Sequence, residues 1–403
     1  MNTAFKAAKI TEKVYWVGAI DWAIRDFHGY STPRGSTYNA YLILADKITL
    51  VDTVKRPFMD ELLARVSSVI DPSKIDYIIS NHSEMDHSGS LAEVIKKVSP
   101  ENVFASKMGT KALFQHFGLV VDEVANGAEL DLGNLTLKFL ETRMIHWPDS
   151  MFTYIPEEKV LFSQDAFGMH LASAERFADE LSPDILRRES DKYYANIVLP
   201  YSPMVKKTLE KVADMNLEIG HLCPDHGPIW RGKDIGEIIG WYSEYVAQKP
   251  RRKAVILYDT MWGSTEKMAR AITDGLSETG TDVKVLDVRA SSRSEVITEL
   301  LFAGAVIVGS PTLNQTFFPT LADVLNYSKG LKPQNLIGAT FGSYGWSGEA
   351  AGQLQSILEE MGVKIVSEPL KINYVPTAEA LTECRELGLK IGNELKKAVE
   401  NER

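Results

Sequence analysis

Cysteine is almost missing from this 403-residue chain, which has two, Cys223 and Cys384, in no CxxC arrangement. That excludes a cysteine-ligated iron module within the chain, and it fits a reducing cytoplasm. Positive charge is also in short supply, with 44 Lys and Arg against 54 Asp and Glu and a formal net charge of −10. An acidic balance argues against nucleic acid or an anionic membrane as the main partner, and would suit a basic patch on a small protein. No apolar run is long enough to span a bilayer. The opening stretch "MNTAFKAAKITEKVYWVGAI" lacks the uninterrupted apolar core and cleavage site of a secretory signal. Internal repeats and low-complexity tracts are absent too.

The length implies about two domains, and the halves differ in pattern. The first is rich in short strands at 13–20, 37–44, 48–53, 76–80, 102–106, 135–142, 151–155 and 159–167, with helices around 57–69, 89–98 and 108–117. Mostly antiparallel strands with helices outside would bury a two-sheet core. The charged, proline-bearing stretch "YVAQKPRRK" places the boundary, giving domains 1–250 and 251–403. Beyond it, apolar strands at 253–259, 282–288, 303–311, 336–343 and 363–370 alternate with helices, as in a doubly wound parallel sheet of five strands.

In such sheets ligands bind at the carboxyl ends of the strands. The loop "DTMWGSTEK" offers the hydroxyls of Thr260, Ser264 and Thr265 and leads into a helix N-terminus, which suits a phosphate. It matches neither GxxxxGK[ST] nor GxGxxG, which argues against a nucleoside triphosphate and a dinucleotide. The loops "SPTLNQTFFP" and "GSYGWSGEA" follow the third and fourth strands, and Tyr344 and Trp346 among glycines suit stacking on a flat heteroaromatic ring. Read singly, each is an ordinary connection with Ser and Thr as helix caps. Together, from about 253 to 399, they resemble flavodoxin. That resemblance implies FMN, with its phosphate on Thr260, Met261, Trp262, Gly263, Ser264 and Thr265. Its ring system would lie between Pro311, Thr312 and Asn314 on one side and Ser343, Tyr344, Gly345, Trp346, Ser347 and Gly348 on the other.

The first half carries "NHSEMDHSGS", residues 81–90. His82, Glu84 and Asp86 have the period-two spacing that points side chains one way from an extended backbone, and His87 follows. Helix capping by Asp86 and Ser88 explains part of the motif and leaves the histidines without a role. Further ligand types stand alone near strand ends: His146 in "MIHWPDS", Asp165 in "FSQDAF" and His226 in "CPDHGP". His28, His116, His170 and His221 are less obvious candidates, and His116 reads as a helix-face residue.

This set resembles the metallo-β-lactamase fold, an αββα sandwich whose hallmark is HxHxDH followed by a distant His, Asp and His. Glu84 stands where the second histidine is usual. A carboxylate in place of an imidazole makes the site harder and more anionic, which suits iron or manganese better than zinc. The HxExDH pattern, "HWPDSM" and the flavodoxin-like half together resemble the flavodiiron proteins, as do "DWAIRDFHG", "STYNAYL", "YYANIV" and "CPDHG". The resemblance covers essentially the whole chain. It implies two non-haem iron ions ~3.5–4 Å apart. One would be held by His82, Glu84 and His146, the other by Asp86 and His226 with His87 as a further ligand, and Asp165 would bridge them.

It also implies reduction of O₂ to water, NO to N₂O, or both, serving to scavenge these gases in an anaerobe or microaerophile. Electrons would pass through FMN from a separate donor, rubredoxin or a similar small carrier. A head-to-tail homodimer, or a dimer of such dimers, would set one chain's flavin beside the other's irons. His28 and Tyr193 would lie on the open side of the metal pair, with Trp147 and Phe27 as apolar walls. Two other readings are a zinc hydrolase fused to a flavodoxin, which leaves the flavin idle, and a redox sensor or carrier, which needs no open metal site.

Overall fold

The computed structural model describes residues 4–401. By their contacts the residues fall into two compact units. One takes the chain up to Phe27, Thr32–Tyr193 and Tyr201–Val246. The other takes His28–Ser31, Tyr194–Pro200 and the chain from Ala247 on.

The first unit is built on two sheets. The larger runs in the order Ala8–Lys9, Val14–Trp16, Tyr41–Ile43, Thr49–Val51, Tyr77–Ser80, Asn102–Ser106 and Asp122–Val124. It is antiparallel as far as Thr49–Val51 and parallel beyond, so it is a mixed sheet where the strand pattern suggests a mostly antiparallel one. The reason is local: the helix Met59–Ser67 lies between Thr49–Val51 and Tyr77–Ser80, and a helical crossover returns the chain parallel. The second sheet runs Glu129–Asp131, Thr136–Glu141, Met151–Ile155, Val160–Gln164, His221–Pro224 and Trp230–Arg231.

Trp16, Tyr41, Val51 and Ile79 from the first sheet meet Leu137, Phe139, Met151, Phe162 and Cys223 from the second in one buried cluster. The other face of the first sheet, with Leu42, Leu50 and Ile78, is covered by Leu62 and Val66 of Met59–Ser67 and Leu91, Val94 and Val98 of Leu91–Val98. Alternation along each strand thus feeds two layers of core, and the result is the αββα sandwich.

Strand direction decides where the functional residues go. Thr136–Glu141 and Val160–Gln164 are each antiparallel to Met151–Ile155, and His221–Pro224 is parallel to Val160–Gln164. Three strands of the second sheet therefore end at the same edge.

The extended stretches expected at 13–20 and 37–44 are both broken. Ala19–Asp21 and Ser36–Tyr38 leave the large sheet and pair with each other. Two side-chain facts account for it. A Cβ on Gly18 would strike the backbone of Tyr38 and Asn39, so only glycine permits this approach. Asn39 turns out of the ladder to donate from Nδ2 to the carbonyls of Pro224 (2.7 Å) and Gly227 (3.0 Å), and it accepts from Trp16 Nε1 at 2.8 Å.

The second unit has a parallel sheet in the order Asp282–Asp287, Lys253–Tyr258, Ala305–Gly309, Ile337–Tyr344, the doubly wound order of flavodoxins. The expected fifth strand at 363–370 is two pieces, Lys364–Ile365 and Leu370–Asn373, each paired with Ile337–Tyr344. The break carries Ser367, Glu368 and Pro369, and proline supplies no ladder N–H.

The helices Ser264–Glu278 and Ala378–Asn401 pack backbone to backbone. A Cβ on Gly275 would run into the Arg385 carbonyl oxygen, and one on Gly388 into that of Ile272. Gly275→Val is therefore expected to destabilise this unit by about 1–3 kcal/mol. Denaturant unfolding, with far-ultraviolet dichroism as the probe, measures it.

Candidate metal centre and ligand cleft

The motif 81–90 is not extended throughout. His82 and Glu84 lie in the loop after Tyr77–Ser80, while Asp86 and His87 sit on a single helical turn, Met85–Ser88. The Ser88 hydroxyl donates to the Ser83 carbonyl at 2.6 Å and pins that turn. The period-two spacing thus holds for His82 and Glu84, and the turn rather than the spacing brings Asp86 inward. His82, Asp86 and His87 are buried, so the turn is no surface cap.

All seven ligand-type residues expected from the sequence fall into two groups. His82, Glu84, His146 and Asp165 form one, and Asp86, His87 and His226 the other, with donor atoms within 4.8 Å of one another in each. In the first, Nε2 of His82 lies 3.3 Å from Glu84 Oε2 and 3.2 Å from Asp165 Oδ2. Nε2 of His146 lies 3.2 and 3.1 Å from the same two oxygens. In the second, Nε2 of His87 is 3.3 Å from Asp86 Oδ1 and 3.1 Å from Asp165 Oδ1. Nε2 of His226 is 3.2 Å from Asp86 Oδ2 and 3.4 Å from Asp165 Oδ1. Asp165 thus turns one oxygen to each group.

Both oxygens of Asp86, both ring nitrogens of His87 and Oδ1 of Asp165 are buried without a hydrogen bond. Buried polar atoms of this kind need partners, and donors converging at 3.1–3.4 Å from one another fit a cation at the centre of each group. The electrostatics agree. Burial works against a charged imidazole, yet Asp149 and Asp165 draw His82 well above its ordinary range. His146 likewise rises to about 8, because hydrogen bonds to Asp165 and Glu84 outweigh burial. A pocket that holds protons this strongly is anionic and favours positive charge.

The far sides of two imidazoles, those of His82 and His226, are also held. Nδ1 of His82 faces Asp149 Oδ2 at 3.2 Å. Burial raises the Asp149 carboxyl, but His82 and Ser83 bring it down to about 2. Ser83 donates to it from its backbone N–H at 2.6 Å and its hydroxyl at 2.7 Å. Nδ1 of His226 donates to the Thr37 carbonyl at 2.5 Å, and the Gly227 N–H to Thr37 Oγ1 at 2.7 Å. Nδ1 of His87 lies 3.6 Å from Asp225 Oδ2. The contacts to Asp149 and Thr37 fix which nitrogen of His82 and of His226 points inward. Asp149, Asp225, Thr37 and Asn39 escaped the sequence reading. For two of them the signal was proximity: Asp149 is three residues from His146, and Asp225 precedes His226.

Beside the second group, His170 lies with its ring centre 4.6 Å from that of His226 and its Nδ1 2.8 Å from Ser36 Oγ. Tyr193 is 5.2 Å from His170 and 6.1 Å from His226, ring to ring. Phe27 stands 4.8 Å from His170, and Trp147 stands edge-on 5.2 Å from His82. His28 occupies the exposed turn between Asp26–Phe27 and Tyr30–Ser31. His116 is exposed on its helix, and His221 stands in neither group.

In the second unit a cleft of about 400 Å³ is lined by Thr312, Asn314, Gln315, Gly345, Trp346 and Ser347. Gln315 was not anticipated. The indoles of Trp346 and Trp262 are each 89% exposed, as ring-stacking surfaces must be before a ligand covers them. Gly263, at φ 83°, turns the loop into the helix Ser264–Glu278. Thr265 Oγ1 is 3.0 Å from Ser343 Oγ, which joins the first loop to the fourth strand. The size, the hydroxyl-rich loop and the exposed rings fit a flat aromatic ligand bearing a phosphate.

Residues 37–227 match the ODP family of beta lactamases and residues 256–388 match flavodoxin. A rubredoxin-oxygen oxidoreductase of Megalodesulfovibrio gigas is 46% identical over 396 residues, covering 97% of this chain and 98% of that one. The chain belongs to the flavodiiron protein family. A nitric oxide reductase of Moorella thermoacetica is 45% identical, covering 95% of this chain and 97% of its own length. The crystal structure of the flavodiiron protein from Giardia intestinalis superposes with a TM-score of 0.96 at 33% identity, covering both chains in full.

Asp149→Ala frees His82 Nδ1 and is expected to lower metal affinity about 10–100-fold. Competition with a chromophoric chelator measures it, and Ser83→Ala, which removes one of several donors to Asp149, is expected to have a smaller effect.

Proposed function

We propose that this chain reduces dioxygen, nitric oxide or both, with electrons from rubredoxin or a similar small carrier. The observation that carries the reading is Asp165, one carboxylate serving two ligand groups in a chain that continues into a flavodoxin unit. His82, Glu84 and His146 would hold one iron and Asp86, His87 and His226 the other, with Asp165 turned toward both. Thr260 to Thr265 take the FMN phosphate, and the loops at 311–314 and 343–348 take its ring system. When bound, the paired irons would supply two electrons together for a diatomic substrate, and FMN would supply the relay from the donor.

The chain's residues do the positioning. Thr37 and Asp149 keep the lone pairs of His226 and His82 turned inward. Tyr193 keeps its proton, because burial first and the negative charge of Asp165 next hold its phenol well above the usual range. Its hydroxyl is thereby a donor for an oxygen atom of the substrate. Phe27 and Trp147 form apolar walls that limit water. The two cysteines, both buried and unpaired, fit a reducing, cytoplasmic setting, and among the described residues no helix is long and apolar enough to cross a membrane.

Purified from iron-replete cells, the protein should carry about two irons per chain and one FMN. Under anaerobic conditions, reduced rubredoxin should support turnover with O₂, NO or both. Zinc in place of iron, or no turnover with either gas, would refute the reading.

A head-to-tail homodimer, or a dimer of such dimers, with one chain's flavin serving the other's irons, belongs to the same proposal. A heterodimer of an Asp165→Ala chain and a flavin-deficient chain should then keep activity, because one flavin and one metal pair still face each other. Its complete inactivity would eliminate the inter-chain arrangement.

A further inference from the structure

One buried carboxylate in the second unit has no part in the roles given above. Asp259 directly follows the strand Lys253–Tyr258 and is fully buried. Its Oδ1 accepts from the Thr260 backbone N–H at 2.6 Å, which starts the phosphate loop. Its Oδ2 accepts from the Thr320 hydroxyl. Thr320 is the second residue of the helix Pro319–Leu331, directly after the loop that lines the cleft with Thr312 and Asn314. One side chain thus ties the two loops together from behind.

A buried carboxylate is costly unless it is paired. Arg289 meets this need, with Nε 3.2 Å from Asp259 Oδ1 and a side chain that stays half exposed. Asp287 steadies the guanidinium through contacts of 3.2 and 3.0 Å. The arrangement has a consequence for the loop. The Thr260 amide is spent on Asp259, and the Gly263 amide on Thr260 Oγ1 at 3.1 Å. Neither is then available to a phosphate, which is left to the amides and hydroxyls around the start of Ser264–Glu278. Any phosphate bound there adds negative charge close to an existing carboxylate.

We propose that Asp259 is a positioning residue of the flavin site, locking the phosphate loop and the cleft loop to each other. Arg289 is its charge partner and allows a phosphate dianion to bind beside it. The proposal rests on the FMN reading of this unit.

The test strips flavin from the full-length chain and titrates the apoprotein with FMN and with riboflavin, which lacks the phosphate. Arg289→Met should weaken FMN about tenfold, the scale of one short-range charge interaction in a partly solvated site, and leave riboflavin unchanged. Adding Asp259→Asn to Arg289→Met should recover most of the lost FMN affinity, because the uncompensated charge is gone. Thr320→Val, isosteric and without the hydroxyl donor, should weaken both ligands alike. Equal effects of Arg289→Met on both ligands, no rescue by Asp259→Asn, or unaltered binding in Thr320→Val would each overturn the proposal. A wild-type apoprotein that binds neither ligand would overturn the FMN reading itself, and this proposal with it.

Discussion

The Asp165 carboxylate is the contact on which the first unit's site depends. Its Oδ2 faces His82 and His146, and its Oδ1 faces His87 and His226, all within 3.1–3.4 Å. Glu84 and Asp86 add two more carboxylates in the same buried space. Such crowding is stable only with positive charge among the oxygens. Protons on the imidazoles supply some of it, and metal ions at the two points of convergence would supply it without blocking the ligand nitrogens. Several otherwise odd features follow from this need, including the buried, unbonded atoms of Asp86 and His87.

Holding that cluster open falls to the layers behind it. Donors from Ser83 and Asn39, and the Thr37 hydroxyl oxygen that accepts from the Gly227 N–H, fasten the ligand loops to backbone and to one another. Asn39 is the clearest case. It breaks an otherwise continuous strand, and the hydrogen bonds it gains fix the segment that carries His226. In the second unit Asp259 has the equivalent place behind a different loop. In both, a buried polar side chain with all its partners defines the geometry, which an apolar residue of the same size could not do.

Much of the molecule was legible in order but not in detail. The alternation of apolar strands and helices after 250 gave the parallel sheet, because burial on both faces leaves a continuous apolar run. It could not show that Pro369 would split the last strand, or that Gly18 and Asn39 would turn two strands aside. His82, Glu84, Asp86 and His87 stood out as one cluster, and His146, Asp165 and His226 as isolated ligand types at strand ends. Asp149 and Asp225 did not, since an aspartate beside a proline reads first as a turn residue. His170 looked ordinary because its neighbours Ser36, Tyr193 and His226 come from distant parts of the chain.

By itself, the sequence determined the chemistry available: a carboxylate at 84 where an imidazole is usual, scarce thiols, and a hydroxyl-rich loop ahead of a helix with exposed aromatic residues downstream. These are properties of residue type and local spacing, and they survive without a fold. The tertiary structure alone decided how the ligand types divide into two groups, that Asp165 faces both, and that Nε2 of His87 points inward rather than away. Those outcomes depend on three strands ending at one edge and on hydrogen bonds between residues as many as 190 positions apart, such as Gly227 and Thr37. No local pattern encodes such contacts, because they form only when packing brings the strand ends together.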